Sequence, residues 1–426
     1  MATKLEQAKG VKDTPPSEKI IKNEVIDKIR KIFELYGFLP LETSILERYE
    51  TLAAKFAAGE SSDALKEVFK LKDQGERDLG LRFDLTVPLA RYVAINPNIK
   101  LPFKRYEVGP VFRDGPIKLG RAREFWQMDI DTVGSSSMLA DAEILAMVDA
   151  VFKELEFDIT IKVNNRKLLN GILEQSQIKE KENAIISIDK MDKIGEEGVS
   201  KELLEKGYSK KAIEKIFDLI KPEINLKELK NKITDKEGLE GIKELEELFS
   251  NLENMGIKTA SFDVCLARGL AYYTGTVFEA FLKEGSIKSS LAGGGRYDEI
   301  IGKFIGENRK IPAVGISFGL VPIIETVKER NKITKQTPSK VYVISIQTIK
   351  ESLKLVQEIR NNKIPAEIDL SEKSISKNLD YANTLKIPYV IFVGEDEIKK
   401  KKFKLKDMNS GKEEFLDIKE IVKKLK

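Results

Sequence analysis

Apolar residues at Ile20, Ile21, Val25, Ile29, Ile32, Phe33 and Tyr36 recur with helical spacing. The pattern predicts a helix from Ser17 to Tyr36, with Ser17 as its N-cap and Gly37 just past its end. A different rhythm holds from Phe103 to Gly134, FKRYEVGPVFRDGPIKLGRAREFWQMDIDTVG, a strand-loop-strand segment dense in charge. Strand residues of like parity share a face. Arg123, Phe125, Gln127, Asp129 and Asp131 therefore line one side, and Glu124, Trp126, Met128 and Ile130 the other. The apolar side is expected to pack against helices. The ionic side is then expected to be open to an anionic or zwitterionic ligand that rewards paired charge and planar Arg groups. A solvated antiparallel hairpin with cross-strand salt bridges fits the same pattern.

Further along, a helix is expected from about Ser137 to Leu155. Residues 165–254 are Lys/Glu-rich and helix-patterned, and read as a helical insertion. Strands resume with Ala260 to Val264, a hairpin around Thr274 to Leu282, and Val314 to Phe318. A polar, Pro-containing linker lies near Lys332 to Ser339. Beyond it, VYVISI, a helix from Lys350 to Asn361, AEIDL, a helix from Ile375 to Leu385 and YVIFVG form a βαβαβ unit with a parallel sheet, completed by a hairpin and a C-terminal helix. The expectation is an α+β protein of two domains, 1–330 and 338–426.

Composition narrows the class. The lone Cys265 permits no intrachain disulfide, and the N-terminal MATKLEQAKGVKDTPPSEK has no apolar core for a secretion signal. No stretch approaches membrane-spanning length, so a cytoplasmic enzyme with no membrane partner is expected. With 73 basic and 69 acidic residues the net charge is only +4, far short of a generic nucleic-acid binder. Any nucleic-acid contact must rest on local basic patches. There is no His, so no imidazole base is available.

Two more segments carry candidate chemistry. VCLARGLAYYTGTVFE, Val264 to Glu279, sets Arg268 among small residues ahead of Tyr272 and Tyr273. LAGGGRYD, Leu291 to Asp298, contains three consecutive glycines, which suit either a close approach of backbone to ligand or a hairpin turn. Taken singly, Arg268 also suits a surface position and the tyrosines a core.

Together these segments resemble one family. RGLAYYTGTVFE and AGGGRYD look like the two histidine-specific signatures of histidyl-tRNA synthetases. FRDGPIKLGRAREFWQMDID resembles motif 2 of class II aminoacyl-tRNA synthetases, and LRFDLTVPLARY, Leu81 to Tyr92, resembles the family's amino-acid-binding strand in its eukaryote- and archaeon-like form. The resemblance runs from Gly10 to the C-terminus. It implies a class II antiparallel sheet flanked by helices, a helical insertion and a C-terminal α/β anticodon-binding domain. The implied activity is histidine-tRNA ligation, with ATP and Mg²⁺, L-histidine and tRNA-His, in a homodimer. Editing is expected to be unnecessary, because a site satisfying both imidazole nitrogens rejects analogues lacking them.

The resemblance also implies roles. Arg113 and Arg268 match the phosphate-facing arginines and are the catalytic candidates. Asp84, Leu85, Thr86, Arg113, Gln127, Asp131, Arg268, Tyr272 and Tyr273 match the histidine site, with Asp84, Thr86 and Gln127 around the α-ammonium, and Asp131 and the tyrosines around the imidazole. Arg113, Arg121, Arg123 and Phe125 match the ATP site, Phe125 stacking on adenine. No metal ligand is assigned.

Three departures stand out. Thr43 is followed by Ser44 where motif 1 of the family has Pro. GISFGLVPI carries Val321 and Pro322 where motif 3 supplies an Arg for the γ-phosphate, and Ala271 replaces an Asp of the signature. They keep open a non-catalytic, histidine-binding protein similar to the regulatory subunit of ATP phosphoribosyltransferase. A sensor domain of a larger kinase is disfavoured by the absence of any kinase motif.

Overall fold

The computed structural model describes residues 5–56, 65–117, 122–221, 223–268, 272–306, 310–330 and 336–426. Arg121 and Ala271 lie outside them. Two compact units are present, Met1–Lys12 with Ile26–Thr326, and Asp13–Val25 with Val327–Lys426.

In the first unit the strands are β1 (Leu39–Pro40), β2 (Leu46–Arg48), β3 (Lys70–Lys72), β4 (Asp78–Leu81), β5 (Phe103–Phe112) and β6 (Glu124–Val133). They continue with β7 (Ile159–Asn165), β8 (Ala260–Phe262), β9 (Thr276–Leu282), β10 (Ala292–Arg296) and β11 (Ala313–Gly319). The main sheet has the order β1-β5-β6-β11-β10-β9-β7-β8, and β2-β4-β3 form a small second sheet. Pairing is antiparallel from β5 through β7 and parallel only at the rims, β1 with β5 and β7 with β8. Parity on β6 is as the alternation requires. Met128 and Ile130 are fully buried and Phe318 of β11, the register partner of Met128, is buried beside them. This face packs against the helix Met138–Glu154, where Phe152 meets Phe318 with ring centroids 5.8 Å apart. Ser137 caps that helix by accepting from the Leu139 N–H.

The first long helix runs Pro16–Leu35, so Ser17 lies inside it rather than capping it. Proline suits the first helical position because its missing N–H has no intrahelical partner to lose. Residues 166–254 form the helices Arg166–Gln175, Lys181–Ile188, Met191–Glu205, Lys210–Leu219, Leu226–Lys232 and Lys236–Asn254. Leu168, Leu169, Ile172, Leu245, Leu248 and Leu252 are buried within this insertion, while charged residues such as Glu214, Lys236 and Glu240 are exposed. The expected hairpin at Thr274 to Leu282 is instead β9 alone, joined to β7 on one side and β10 on the other. The three glycines are likewise no turn: they are interior residues of β10, paired on both sides.

The second unit holds β12 (Val341–Ser345), β13 (Ala366–Ile368), β14 (Tyr389–Val393), β15 (Phe403–Asp407) and β16 (Glu413–Leu416), in the order β13-β12-β14-β15-β16. β13, β12 and β14 are parallel; β15 and β16 add an antiparallel hairpin. Val341, Val343, Ile391 and Val393 pack on one side, with Leu355 and Ile359 of the helix Ile349–Asn361. Tyr342, Ile344, Val390 and Phe392 pack on the other, with Ala382 of the helix Ile375–Thr384. Burial on both faces is why these strands read as continuous apolar runs.

Candidate functional site

Strand register assembles the polar face of the main sheet from segments far apart in the chain. Arg105, Asp131, Gly315 and Gly295 lie in one row across β5, β6, β11 and β10; Glu107, Asp129, Ser317 and Gly293 lie in the next; Gly109, Gln127 and Gly319 in a third. Glycines on β10 and β11 leave a trough where side chains would otherwise stand. A Cβ on Gly315 would overlap the Asp131 carboxylate, and one on Gly293 would overlap Nη1 of Arg268.

The ionic face is not open along its length, as the alternation alone had suggested. Arg105, Glu107, Asp129 and Asp131 are all buried. Neighbouring strands extend the face sideways and other segments close over its inner end. Arg105 pairs with Asp131 at 2.8 Å and donates to the Leu85 carbonyl at 3.0 Å; Tyr297 donates its hydroxyl to Asp131 Oδ1. Tyr297 was not among the residues singled out from the sequence. It is the penultimate residue of AGGGRYD, and an aromatic hydroxyl directly after a glycine-lined strand was the available signal. Tyr272 stands edge-on to Tyr297, centroids 6.4 Å apart, and against Tyr273 at 4.5 Å.

Burial dominates the electrostatics here. It pushes the Asp131 carboxyl above its usual range although Arg105 and Tyr297 act the other way. It also pushes Asp129 up to about 7, Arg105 lowering and Asp131 raising the value. Desolvation together with Asp131 holds the Tyr297 phenol well above its ordinary pKa. Desolvation disfavours charge on Arg105 and Arg268, but nearby carboxylates and phenols more than offset it.

Asp84 sits at the start of the helix Thr86–Ile95, its Oδ1 accepting from the N–H groups of Thr86 and Val87 at 3.0 and 2.9 Å. Gln127 Nε2 donates to Ser317 Oγ at 2.7 Å. Toward the outer end, the Arg113 guanidinium lies 4.3 Å from the Phe83 ring centre and 5.0 Å from that of Phe125. Both rings lie within cation–π distance of it. Arg123 pairs with Asp114 at 3.0 Å. Arg268 packs over the Tyr273 ring at 5.6 Å and lies 3.4 Å from Glu279, with φ of +31°. A non-glycine residue in that region costs roughly 1 kcal/mol or more, and such strain concentrates where a side chain must be aimed.

The departures also have structural counterparts. Thr43 donates both its N–H and its hydroxyl to Glu107 Oε1, at 2.9 and 2.7 Å, while the exposed Ser44 makes a local turn to the Leu46 carbonyl. Pro322 lies in the first turn of the helix Leu320–Glu329, with its carbonyl accepting from Thr326 Oγ1 at 2.8 Å. It supplies no cation.

The glycines separate fold from site. Gly293→Ala is expected to push the Arg268 guanidinium out of its place, lowering activity about as much as losing that Arg while Tm changes little. Gly294→Ala drives its Cβ into the Gly315 carbonyl, rigid backbone, and is expected to lower Tm sharply. Thermal melts beside activity assays of the two variants check the contrast.

Comparisons with known proteins agree on one relationship. The profile described as histidyl-tRNA synthetase matches residues 10–323, and that described as anticodon binding domain matches 340–426. Histidine–tRNA ligase 1 of Bacillus cereus is 43% identical over 415 residues, covering 96% of this chain and 94% of that one. The Clostridium tetani histidine–tRNA ligase is 40% identical over 434 residues, 98% and 97% of the two chains. The crystal structure of histidyl-tRNA synthetase from Nostoc sp. PCC 7120 superposes with a TM-score of 0.87 at 32% identity, covering 100% of this chain and 99% of that one. A Bacillus halodurans structure titled ATP phosphoribosyltransferase regulatory subunit/histidyl-tRNA synthetase, at 23% identity and a TM-score of 0.76, shares the fold. With family profile, near-complete relatives and architecture in agreement, the chain belongs to the histidyl-tRNA synthetase family.

Proposed function

We propose that this chain activates L-histidine with ATP and transfers the histidyl group to the 3′ end of tRNA-His. The observation that carries this reading is the buried Arg105–Asp131–Tyr297 group beside a glycine-lined trough. It offers an imidazole both a carboxylate and a hydroxyl. Relatives that cover nearly the whole chain are histidine–tRNA ligases and a C-terminal anticodon binding domain is matched, which favours the ligase over the regulatory reading.

In activation, a carboxylate oxygen of histidine attacks the α-phosphorus of ATP and pyrophosphate leaves; no base is needed, because that oxygen is already ionised. In transfer, a ribose hydroxyl attacks the carbonyl and AMP leaves, with a phosphate oxygen of the adenylate accepting the proton. The protein's part is positioning and charge neutralisation. Arg113, held between Phe83 and Phe125, and Arg268, aimed by its backbone, would neutralise the α-phosphate. Phe125 would bear on adenine, and Arg121 and Arg123 on the outer phosphates. Asp84, Leu85, Thr86 and Gln127 would surround the α-ammonium, and Asp131, Tyr272 and Tyr273, with Tyr297, the imidazole. Among the described residues no three acidic, Cys or His groups cluster to hold a metal. Mg²⁺ would enter with ATP and would supply further neutralisation of phosphate charge. Histidine-dependent ATP-pyrophosphate exchange tests the reading, and no exchange above background refutes it.

The 338–426 domain is assigned to tRNA. Lys404 and Lys406 pair with Glu413, at 3.2 and 3.4 Å; Lys399 to Lys402 are exposed, with Lys399 pairing to the exposed Glu395 at 3.3 Å. Replacing those four lysines by Ala is expected to weaken tRNA binding and flatten its salt dependence, leaving pyrophosphate exchange intact. Affinities of both chains across a salt series decide it; equal slopes would remove these lysines from the interface. A homodimer, which the family resemblance implies, is tested by sedimentation at several concentrations. No described helix is long and apolar enough to cross a membrane.

A further inference from the structure

The polar face carries more negative charge than the residues assigned above account for. Asp84, Glu107, Asp129 and Asp131 are buried there, with only two buried guanidiniums, Arg82 and Arg105, among them. Arg82 is committed to Glu107 at 2.8 Å, with further donations to the Thr43 and Pro110 carbonyls; Arg105 is committed to Asp131. Asp129 is left over. It is 4% exposed, and its Oδ1 accepts no hydrogen bond. Two residues away on the same strand face, Gln127 Oε1 is also buried and accepts none. A buried anion and a buried amide oxygen left unsatisfied cost several kcal/mol unless something donates to both. An ammonium group has three donors, and Asp129, Gln127 and the nearby Asp84 are acceptors only through oxygen.

We propose that Asp129 is a specificity-determining residue of the amino-acid site: its carboxylate receives the substrate's α-ammonium group, and it releases a proton to solvent as that group enters. The inference rests on the histidine-activating reading above. Before binding, the proton supplies the positive charge that the face lacks; on binding, the ammonium replaces it. The groups facing Asp129 fix the sign. Asp131 on its own strand, Glu107 on β5 and Asp84 before the helix Thr86–Ile95 all disfavour its ionisation. Arg105 on β5 and the Ser317 hydroxyl on β11 favour it, and Tyr297 contributes a neutral phenol. Burial outweighs Arg105 and Ser317, which is why the carboxyl is pushed up to about 7. Because ammonium binding requires the ionised form, affinity for histidine rises with pH through about 7 and then levels.

Calorimetric titration of the full-length protein in two buffers of unlike ionisation heat measures the proton count directly. At pH 7 the parent is expected to release about half a proton more per histidine than Asp129→Asn does. The KM ratio of Asp129→Asn to parent is expected to grow about tenfold between pH 6 and 8; the ligand's own imidazole titration cancels in that ratio. If the variant does not fold, the parent alone decides. With 3-(imidazol-4-yl)propionate, which lacks the ammonium, the extra release should vanish. Equal proton counts for parent and variant, or for histidine and the deamino ligand, overturn the role of Asp129 while leaving the ligase reading intact. Absence of both histidine binding and pyrophosphate exchange overturns the ligase reading itself.

Discussion

Arg268→Ala is expected to slow histidyl-adenylate formation by about 100-fold or more while histidine affinity changes far less. The asymmetry follows from where charge appears. A pentacoordinate phosphorus carries more negative charge on its oxygens than ground-state ATP, so a fixed guanidinium stabilises the transition state preferentially. Arg268 is built for fixity. Its backbone is held at φ +31°, its side chain lies over Tyr273 and beside Glu279, and the absence of a Cβ on Gly293 makes room for Nη1. Arg268→Lys is expected to recover only part of the rate, because an ammonium lacks the planar fork. Single-turnover formation of the adenylate is the measurement. Equal rates in Arg268→Ala and parent would show that Arg268 only packs.

Asp131→Ala has the second largest expected effect, a loss of roughly 2 to 4 kcal/mol in kcat/KM for histidine with the KM for ATP little changed. Removing the carboxylate leaves the Arg105 guanidinium, fully buried and paired at 2.8 Å, without its closest anion, and leaves the Tyr297 hydroxyl without its acceptor. A truncated buried ion pair is costly because the surviving charge stays desolvated. Some of that loss will appear as lower stability. Tyr297→Phe, which removes one hydroxyl and keeps the ion pair, separates the two contributions. It is expected to weaken histidine use with a smaller change in Tm. If Asp131→Ala alters histidine and ATP parameters alike, Asp131 is structural.

The trough also shows why some residues were legible and others were not. Asp131 and Gln127 could be placed on one face from β6 parity alone, a local property of successive residues. The glycines of β10 could not be told from a turn, because their conformation depends on β9 and β11, which flank them in space. Ser17 had the chemistry of an N-cap, yet the helix begins at Pro16, one residue earlier. Asp129 read as one more charge on a ligand-facing strand. Its distinction arises from Glu107 and Ser317 beside it and from the loss of water above it.

By itself the sequence determined the periodic elements, the helical insertion between two stretches of sheet, the βαβαβ unit near the C-terminus and the signature segments that carry the family relationship. Each of these is written in neighbouring residues, by a period of two or of about 3.6 or by a run of specific side chains. Only the tertiary structure decided which strands stand side by side, and with that which charges are buried together. The Arg105–Asp131–Tyr297 group, the surplus carboxylate of Asp129 and the pairing of Lys404 and Lys406 with Glu413 all belong to this second class. The physical reason is that desolvation and charge pairing depend on distance in space. Strand register sets those distances between segments separated by much of the chain.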